Sequence, residues 1–208
     1  MEENLISVVI GTFGEDRWKD LAKEAAASVT TQTVAPSGLH MVHSGTLAQA
    51  RNQGAEQAEG EWLLFLDADD TLGPGFIEAM SRKIKEIGNR DALLQPSHRC
   101  SRDAPIGLAG QVSMIPPMDI LQGNFLIIGT LVRRDTFLSV GGFRELRLYE
   151  DWDLWIRCFQ QGSSHFTVPE AIYNITFSDN SRNEPSHMEK VRVAESIRSQ
   201  YKKVAKVL

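Results

Sequence analysis

The feature that most constrains this fold is a short apolar run, residues 62–66, that opens directly onto three carboxylates. Asp67, Asp69 and Asp70 all lie within the next four residues. Such a run is typical of a buried strand, whereas burying three ionised carboxylates without partners is costly. We therefore predict that the strand ends at an exposed sheet edge, where the carboxylates are ready ligands for a hard divalent cation. A polar turn after a strand is the plainer alternative.

Composition limits the class of protein. The chain has 208 residues, of which 42% are hydrophobic and 24% charged, as in a single soluble domain with a substantial core. Its formal net charge of −5 argues against bulk binding of nucleic acid or anionic membrane.

The sequence shows no secretory signal and no run of ~18 apolar residues, so we expect no transmembrane segment and a cytoplasmic location. Cys100 and Cys158 fit neither a disulfide framework nor a metal site, and we expect reduced, buried thiols.

Strand-like and helix-like segments alternate through the first half. Their order predicts an α/β fold with a mostly parallel, Rossmann-like sheet flanked by helices. In such sheets ligands bind beyond the carboxyl ends of the strands, where Gly11, Thr12 and the three carboxylates fall. The predicted strands are residues 5–10, 39–42 and 62–66, and the predicted helices are 18–29, 46–59 (with Gly60 as C-cap) and 76–87.

The second half is less regular. Its prolines predict loops and an edge hairpin over residues 92–122. Further predictions are strands at 125–132 and 171–177 and helices at 134–140 and 152–161. We divide the chain into a domain at 1–183, with halves 1–90 and 91–183, and a C-terminal amphipathic helix at 184–208. The apolar side of that helix carries Val191, Ala194, Ile197, Tyr201, Val204 and Leu208.

The basic residues of the closing helix leave two interpretations open. They form either a solvated face of a helix packed on its own domain, or a docking surface for an anionic acceptor, a membrane surface or a second subunit. A homodimer is therefore one candidate assembly.

Four motifs follow one another along the chain. They are Ser7-Val8-Val9-Ile10-Gly11-Thr12-Phe13, Ala50-Arg51-Asn52-Gln53-Gly54, residues 65–70, and Gly141-Gly142-Phe143 followed by Glu150-Asp151-Trp152-Asp153. Together they resemble a short, soluble family 2 glycosyltransferase of the GT-A fold, over residues 6–181. Residues 65–70 match the family's DxD motif, and the fourth motif matches its Gly-Gly-Phe turn and the Glu-Asp motif that opens the acceptor-side helix.

The resemblance implies a metal-dependent, inverting transfer of one sugar from UDP or another nucleotide diphosphate to an acceptor hydroxyl. Mn²⁺ or Mg²⁺ would be held by Asp69 with Asp67 or Asp70, and Asp151 matches the general base. The acceptor is expected to be a saccharide or glycoconjugate, with a protein or a modified nucleobase as alternatives. Donor contacts are expected from Thr12, Phe13, Gly14, Arg51, Asp67, Ala68 and Asp69, and acceptor-side contacts from Gly129, Thr130, Glu150 and Trp152.

Three departures from the family pattern matter. His43-Ser44-Gly45-Thr46 stands where the family has Asp-Asp-Gly-Ser, which leaves the donor base open. A strand-helix unit is predicted to be missing before Ala50. Thr176 stands where many relatives carry a metal-binding His; His187, further on, is either a substitute ligand or a surface residue.

Two other classes of protein fit part of the pattern. Asp67-Ala68-Asp69-Asp70-Thr71-Leu72 also fits the motif of haloacid-dehalogenase-like phosphatases, in which Asp67 would be the nucleophile and Asp69 the acid/base. That motif normally follows the first strand of its fold. A sugar- or nucleotide-binding module without catalysis is the third class.

Overall fold

The computed structural model describes residues 5–101, 109–177 and 186–201, and these residues form eight strands and six helices. The strands are β1 (Ile6–Phe13), β2 (Gly38–Ser44), β3 (Trp62–Phe65), β4 (Thr71–Leu72), β5 (Ala92–Cys100), β6 (Val112–Ser113), β7 (Leu131–Arg133) and β8 (Ser164–Ile175). The helices are α1 (Arg17–Thr30), α2 (Leu47–Gln57), α3 (Phe76–Ile87), α4 (Arg134–Ser139), α5 (Glu150–Gln161) and α6 (His187–Tyr201).

The strands form one mixed sheet in the order β2-β1-β3-β7-β5-β8-β4, with β6 beside β5. The long pairings are parallel, namely β1 with β2, β1 with β3, and β5 with β8. The antiparallel pairings are short, and each consists of only two pairs of opposed residues. The α/β fold with a largely parallel sheet is thus confirmed.

The prediction of loops and an edge hairpin over residues 92–122 is wrong for its first part. Strand β5 lies between β7 and β8 inside the sheet. Its Pro96 stands where the register with β8 shifts, because proline has no N–H to donate to a ladder and is tolerated at such irregularities. The short antiparallel pairing of β6 with β5 is the hairpin-like part.

Three other boundaries differ from the sequence prediction. Helix α2 ends at Gln57 with Ala58 as its C-cap, so Gly60 is not the cap. A glycine is required at position 60 for a different reason, because a Cβ there would lie 2.7 Å from the backbone nitrogen of Ser7. The strand predicted at 125–132 is confined to β7, and β8 begins at Ser164, earlier than predicted.

The hydrophobic core has two parts, one on each face of the sheet. Alternate residues of β1 contribute to different parts, Val8 to one and Val9 to the other, as the two-residue period of a strand requires. The first part also contains residues of α1 and α3, and the second residues of α5. In α6, Ile197 and Tyr201 are buried in the second part, so this helix packs on its own domain; Val204 and Leu208 lie outside the described residues.

Cys100 and Cys158 are both buried free thiols, as predicted. None of the described helices is long and apolar enough to cross a membrane.

Candidate active site

A cleft of about 480 Å³ opens where β1 and β3 end. Because these strands are parallel neighbours, their carboxyl ends meet at one sheet edge. Thr12 and Phe13 line the cleft from β1, and the acidic residues line it from the segment that follows β3. Glu150 and Asp151, in the first turn of α5, line the same cleft.

Arg51 connects the segment after β3 with the start of α5. Its side chain is only 3% exposed, and its Nη2 and Nη1 bind Asp67 Oδ1 at 2.5 Å and Glu150 Oε1 at 3.0 Å. Burial acts to lower the pKa of Arg51, but the two carboxylates outweigh it and hold that pKa above its ordinary value. The guanidinium also lies 4.9 Å from the ring centre of Phe143. This buried cation therefore holds Asp67, which follows β3, close to Glu150 at the start of α5.

Helix α2 can approach strand β1 closely because each of the two elements has a glycine at the contact. A Cβ at Gly11 would lie 3.0 Å from Arg51 Cγ, and one at Gly54 would lie 2.4 Å from a methyl carbon of Val9. Both glycines therefore set the distance between β1 and α2.

Asn52 joins α2 to the turn before α5. Its amide nitrogen donates to the carbonyl of Phe143, and its amide oxygen accepts from the N–H of Phe143, both at 2.9 Å. A Cβ at Gly142, whose φ is +63°, would lie 2.6 Å from the Asn52 oxygen. The Ala-Arg-Asn motif and the Gly-Gly-Phe turn are therefore parts of one contact.

The three carboxylates after β3 form a tight cluster. Ligand oxygens of Asp67, Asp69 and Asp70 lie within 4.8 Å of one another. Asp70 is 6% exposed and accepts a hydrogen bond of 2.8 Å from the N–H of Thr176. Burial, with the charges of Asp67 and Asp69, raises the pKa of Asp70 well above its ordinary value, and the Thr176 N–H opposes the shift.

This donor set fits a hard divalent cation. Carboxylate oxygens are the ligands that Mg²⁺ and Mn²⁺ prefer, and a cation would offset both the burial and the repulsion that raise the pKa of Asp70. It is the one cluster of potential metal ligands in the part of the chain that the structure describes. His187 is exposed at the start of α6 and is not part of it.

Asp151 is held by two N–H donors. Its Oδ1 accepts from the backbone of Trp152 at 2.7 Å, and its Oδ2 from the side chain of Asn124 at 2.9 Å. Burial, with the charge of Glu150, raises the pKa of Asp151 to about 7, while both donors and Arg51 oppose the rise. A carboxyl group with such a pKa is well matched to proton transfer near neutral pH.

The structure brings most of the predicted site residues to one cleft but leaves five out of its lining. Gly14 is exposed, Thr130 is fully buried, and His187 lies at the surface. Gly129 lies behind the ring of Tyr173. Trp152 is 3% exposed, and its indole N–H donates to the carbonyl of Ile120 at 2.6 Å, so its ring faces are packed. The predicted site residues that do line the cleft are Thr12, Phe13, Arg51, Asp67, Ala68, Asp69, Asp70, Glu150 and Asp151.

The sequence analysis missed several residues of the cleft. Tyr173 on β8 accepts a hydrogen bond from the N–H of Asp67 at 3.1 Å. Tyr149 is the one non-glycine residue in the described ranges with a positive φ, 62°, and it precedes α5. Arg147 and Lys190 bring positive charge to the cleft. These residues, like Asn124, follow no motif or spacing, and only the folded chain brings them together.

In the phosphatase interpretation the two aspartates normally follow the first strand. Asp67 instead follows β3, the third strand of the chain, and its carboxylate is paired with Arg51. The position in the fold therefore disfavours that alternative.

Comparisons with known proteins agree on one family. The family profile described as glycosyl transferase family 2 matches residues 7–155. An uncharacterized glycosyltransferase of Haemophilus influenzae is 28% identical over 139 residues, which are 62% of this chain and 47% of that protein. The uncharacterized glycosyltransferase YwdF of Bacillus subtilis is 28% identical over 155 residues, or 70% of this chain and 56% of the relative. The matched stretches thus span about half the length of these relatives.

Solved structures resemble the whole fold. A structure of S. aureus TarS 1–349 in complex with UDP-GlcNAc gives a TM-score of 0.66 at 16% identity, covering 92% of this chain and 66% of that one. The complex of the same protein with UDP gives 0.67 at 16% identity, covering 98% and 67%. At this identity the likeness establishes the GT-A-like fold alone.

Proposed function

This chain belongs to glycosyl transferase family 2, and we propose that it moves one sugar from a nucleotide diphosphate sugar to an acceptor hydroxyl. The observation that carries the proposal is that one cleft holds both the acidic cluster and Asp151. The buried Arg51 binds Asp67 of the cluster and Glu150, the neighbour of Asp151. A donor held at the cluster would therefore lie in the same cleft as the candidate base.

UDP-GlcNAc is the first donor to test. The resemblance to TarS, which was solved with UDP-GlcNAc and with UDP, supports a uridine donor. Thr12 lines the cleft where β1 ends, and its hydroxyl lies 3.0 Å from Nδ1 of His43. His43 therefore stands beside the end of the cleft that we assign to the nucleoside.

The donor's diphosphate would bind a divalent cation, Mn²⁺ or Mg²⁺, held by Asp67, Asp69 and Asp70. When bound, the cation neutralises the negative charge that grows on the departing nucleoside diphosphate. Asp70 is itself anchored by the N–H of Thr176, and Tyr173 holds the backbone of Asp67. The protein thus supplies a preformed set of oxygen ligands, at the position where the donor would be held.

Asp151 would take the proton of the acceptor hydroxyl as that oxygen attacks the anomeric carbon. With a pKa raised to about 7, a large fraction of Asp151 is ionised at neutral pH and its conjugate acid still forms readily. Attack by the acceptor directly on the donor, without a covalent sugar-enzyme intermediate, inverts the anomeric configuration. The acceptor is proposed to be a saccharide or glycoconjugate; a cytoplasmic location and a homodimer stay predictions.

The test is nucleoside diphosphate release from UDP-, GDP-, dTDP- and CDP-sugars, with Mn²⁺ or with EDTA. We expect metal-dependent release from one donor. Asp69→Asn should lose metal-dependent donor binding, and Asp151→Asn should keep the donor and lose turnover. Asp135→Asn, a change of the same kind at an exposed position in α4, is the control.

Two results would count against the proposal. Equal affinity of Asp69→Asn and wild type for the donor with Mn²⁺ would refute the metal site. Release of inorganic phosphate from a phosphomonoester, abolished by Asp67→Asn and without any release from nucleotide sugars, would favour the phosphatase class instead.

A further inference from the structure

Asn124 lies opposite Asp151 although it belongs to no motif. It sits in the segment between β6 and β7, 27 residues before its partner, and its amide nitrogen lies 2.9 Å from Asp151 Oδ2. Both residues line the cleft. The other carboxylate oxygen is engaged by the N–H of Trp152, so the two oxygens of Asp151 are held from two separate parts of the chain.

The orientation of the Asn124 amide is determined by its own turn. Its side-chain oxygen accepts a hydrogen bond of 3.2 Å from the N–H of Leu126, which is the pattern of an Asx turn. Because that oxygen is occupied, the amide nitrogen is the group that faces Asp151. Asn124 is therefore a donor to the carboxylate.

The segment around Asn124 is anchored on both sides. Before it, the carbonyl of Ile120 accepts from the indole N–H of Trp152 at 2.6 Å, and Arg198 of α6 donates to the carbonyl of Gln122 at 2.8 Å. After it, the carbonyl of Phe125 accepts from the buried amide of Gln95 at 2.9 Å. The donor is thus presented from a fixed backbone, which is what a precise contact requires.

We infer that Asn124 is a positioning residue for the reaction: its amide holds the Asp151 carboxylate ionised and oriented toward the acceptor hydroxyl. This inference rests on the proposed function, in which Asp151 is the base. One hydrogen bond to each carboxylate oxygen fixes the rotation of the group and leaves a lone pair on each oxygen to receive a proton.

The charges around Asp151 show why a donor is needed there. Glu150, on the same helix, disfavours the ionised form, whereas Arg51 of α2 favours it. Arg147 and Lys190 also line the cleft. Burial and Glu150 together outweigh Arg51, so the N–H donors keep the pKa of Asp151 from rising further.

The test separates this role from a structural one by two variants. Asn124→Asp retains an oxygen for the turn with Leu126 but presents a carboxylate to Asp151; Asn124→Ala removes both contacts. Gln122→Glu is the matched control, because it makes the same amide-to-carboxylate change in the same segment at an exposed position.

The first measurement is a ¹³C NMR titration of aspartate carboxyl carbons, with the Asp151 signal identified by its loss in Asp151→Asn. We expect a midpoint near 7 in the wild type. In both Asn124 variants it should rise by about one pH unit or more, and in Gln122→Glu it should not move. An unchanged midpoint in both Asn124 variants would overturn the inference.

The second measurement is the pH profile of UDP release from UDP-GlcNAc with Mn²⁺. For each Asn124 variant we expect kcat to fall about fivefold at pH 7, to recover near pH 9, and KM to stay unchanged. A loss of the same size at every pH would overturn the positioning role. If the wild type turns over no nucleotide sugar, the proposed function fails, and the NMR titration still decides whether Asn124 controls Asp151.

Discussion

Gly129 packs against Tyr173 so closely that a Cβ at this glycine would lie 2.2 Å from ring atom Cδ2. The hydroxyl at the other end of that ring accepts a hydrogen bond from the N–H of Asp67. A glycine outside the cleft therefore sets the position of the ring that supports the acidic cluster. The sequence predicted Gly129 as an acceptor-side contact; it is not among the residues that line the cleft, and the contact it makes toward the site is with Tyr173.

Gly129→Ala should move Tyr173 and disturb the acidic cluster. We expect a loss of about 1–3 kcal/mol in the free energy of unfolding, as for other overpacked sites, and weaker Mn²⁺-dependent binding of UDP. Denaturant unfolding and calorimetric titration measure the two effects. Gly123→Ala is the control, because its Cβ would meet only the flexible thioether of Met118, at 3.3 Å. Equal behaviour of the two variants would contradict the role of Gly129.

Arg51→Gln should be strongly destabilising. It leaves the carboxylates of Asp67 and Glu150 partly buried without their cation, and breaking such a buried pair costs about 3–5 kcal/mol. The control is Arg133→Gln, which breaks a more exposed pair with Glu61 at 3.4 Å and should cost about 1 kcal/mol or less. Urea unfolding at pH 7 compares them. A similar small cost for both variants would show that Arg51 is not a structural link.

The stability of Asp151→Asn relative to wild type should depend on pH. Because the pKa of Asp151 is raised to about 7 in the folded protein, the folded state holds a proton that the unfolded state releases above pH ~4. The wild type therefore loses stability between pH ~4 and about 7, by on the order of a few kcal/mol. The variant lacks this titration, so it should gain relative to wild type from pH 5 to pH 8.

Unfolding free energies at the two pH values measure this difference. Asp135→Asn, at an exposed position, is again the control. A difference between Asp151→Asn and wild type that is the same at both pH values would mean that Asp151 does not titrate in this range.

Tyr201→Phe should weaken the packing of α6 without altering donor affinity. The Tyr201 hydroxyl donates to Asp153 Oδ1 at 2.5 Å and accepts from Arg144 at 2.8 Å. Losing it should cost about 1–3 kcal/mol, since one partner is a buried carboxylate. Ser199→Ala, at an exposed position in the same helix, should be nearly neutral. Thermal unfolding and UDP binding are the measurements; weaker UDP binding at unchanged stability would contradict a purely structural role of Tyr201.

The order of elements was predictable because it depends on local patterns. Short apolar runs identified the first strands and helix-like stretches identified α1, α2 and α3, and the alternation of strands with helices implied the parallel pairing. The acidic cluster was predicted at the end of β3 because an apolar run followed by three carboxylates can be read from neighbouring residues alone. The interior position of β5 was not predicted, because Pro96 breaks the local pattern, and a register shift accommodates it only once β8 is in place.

The sequence by itself determined the fold class, the acidic cluster and the motif that contains Asp151, since each is written in consecutive residues. Only the tertiary structure decided what surrounds them. Arg51 between two carboxylates, Gly129 behind Tyr173, and Asn124 facing Asp151 all join residues far apart in the chain. Such contacts depend on how distant segments pack in three dimensions, and neither spacing nor composition along the chain encodes which side chains then meet.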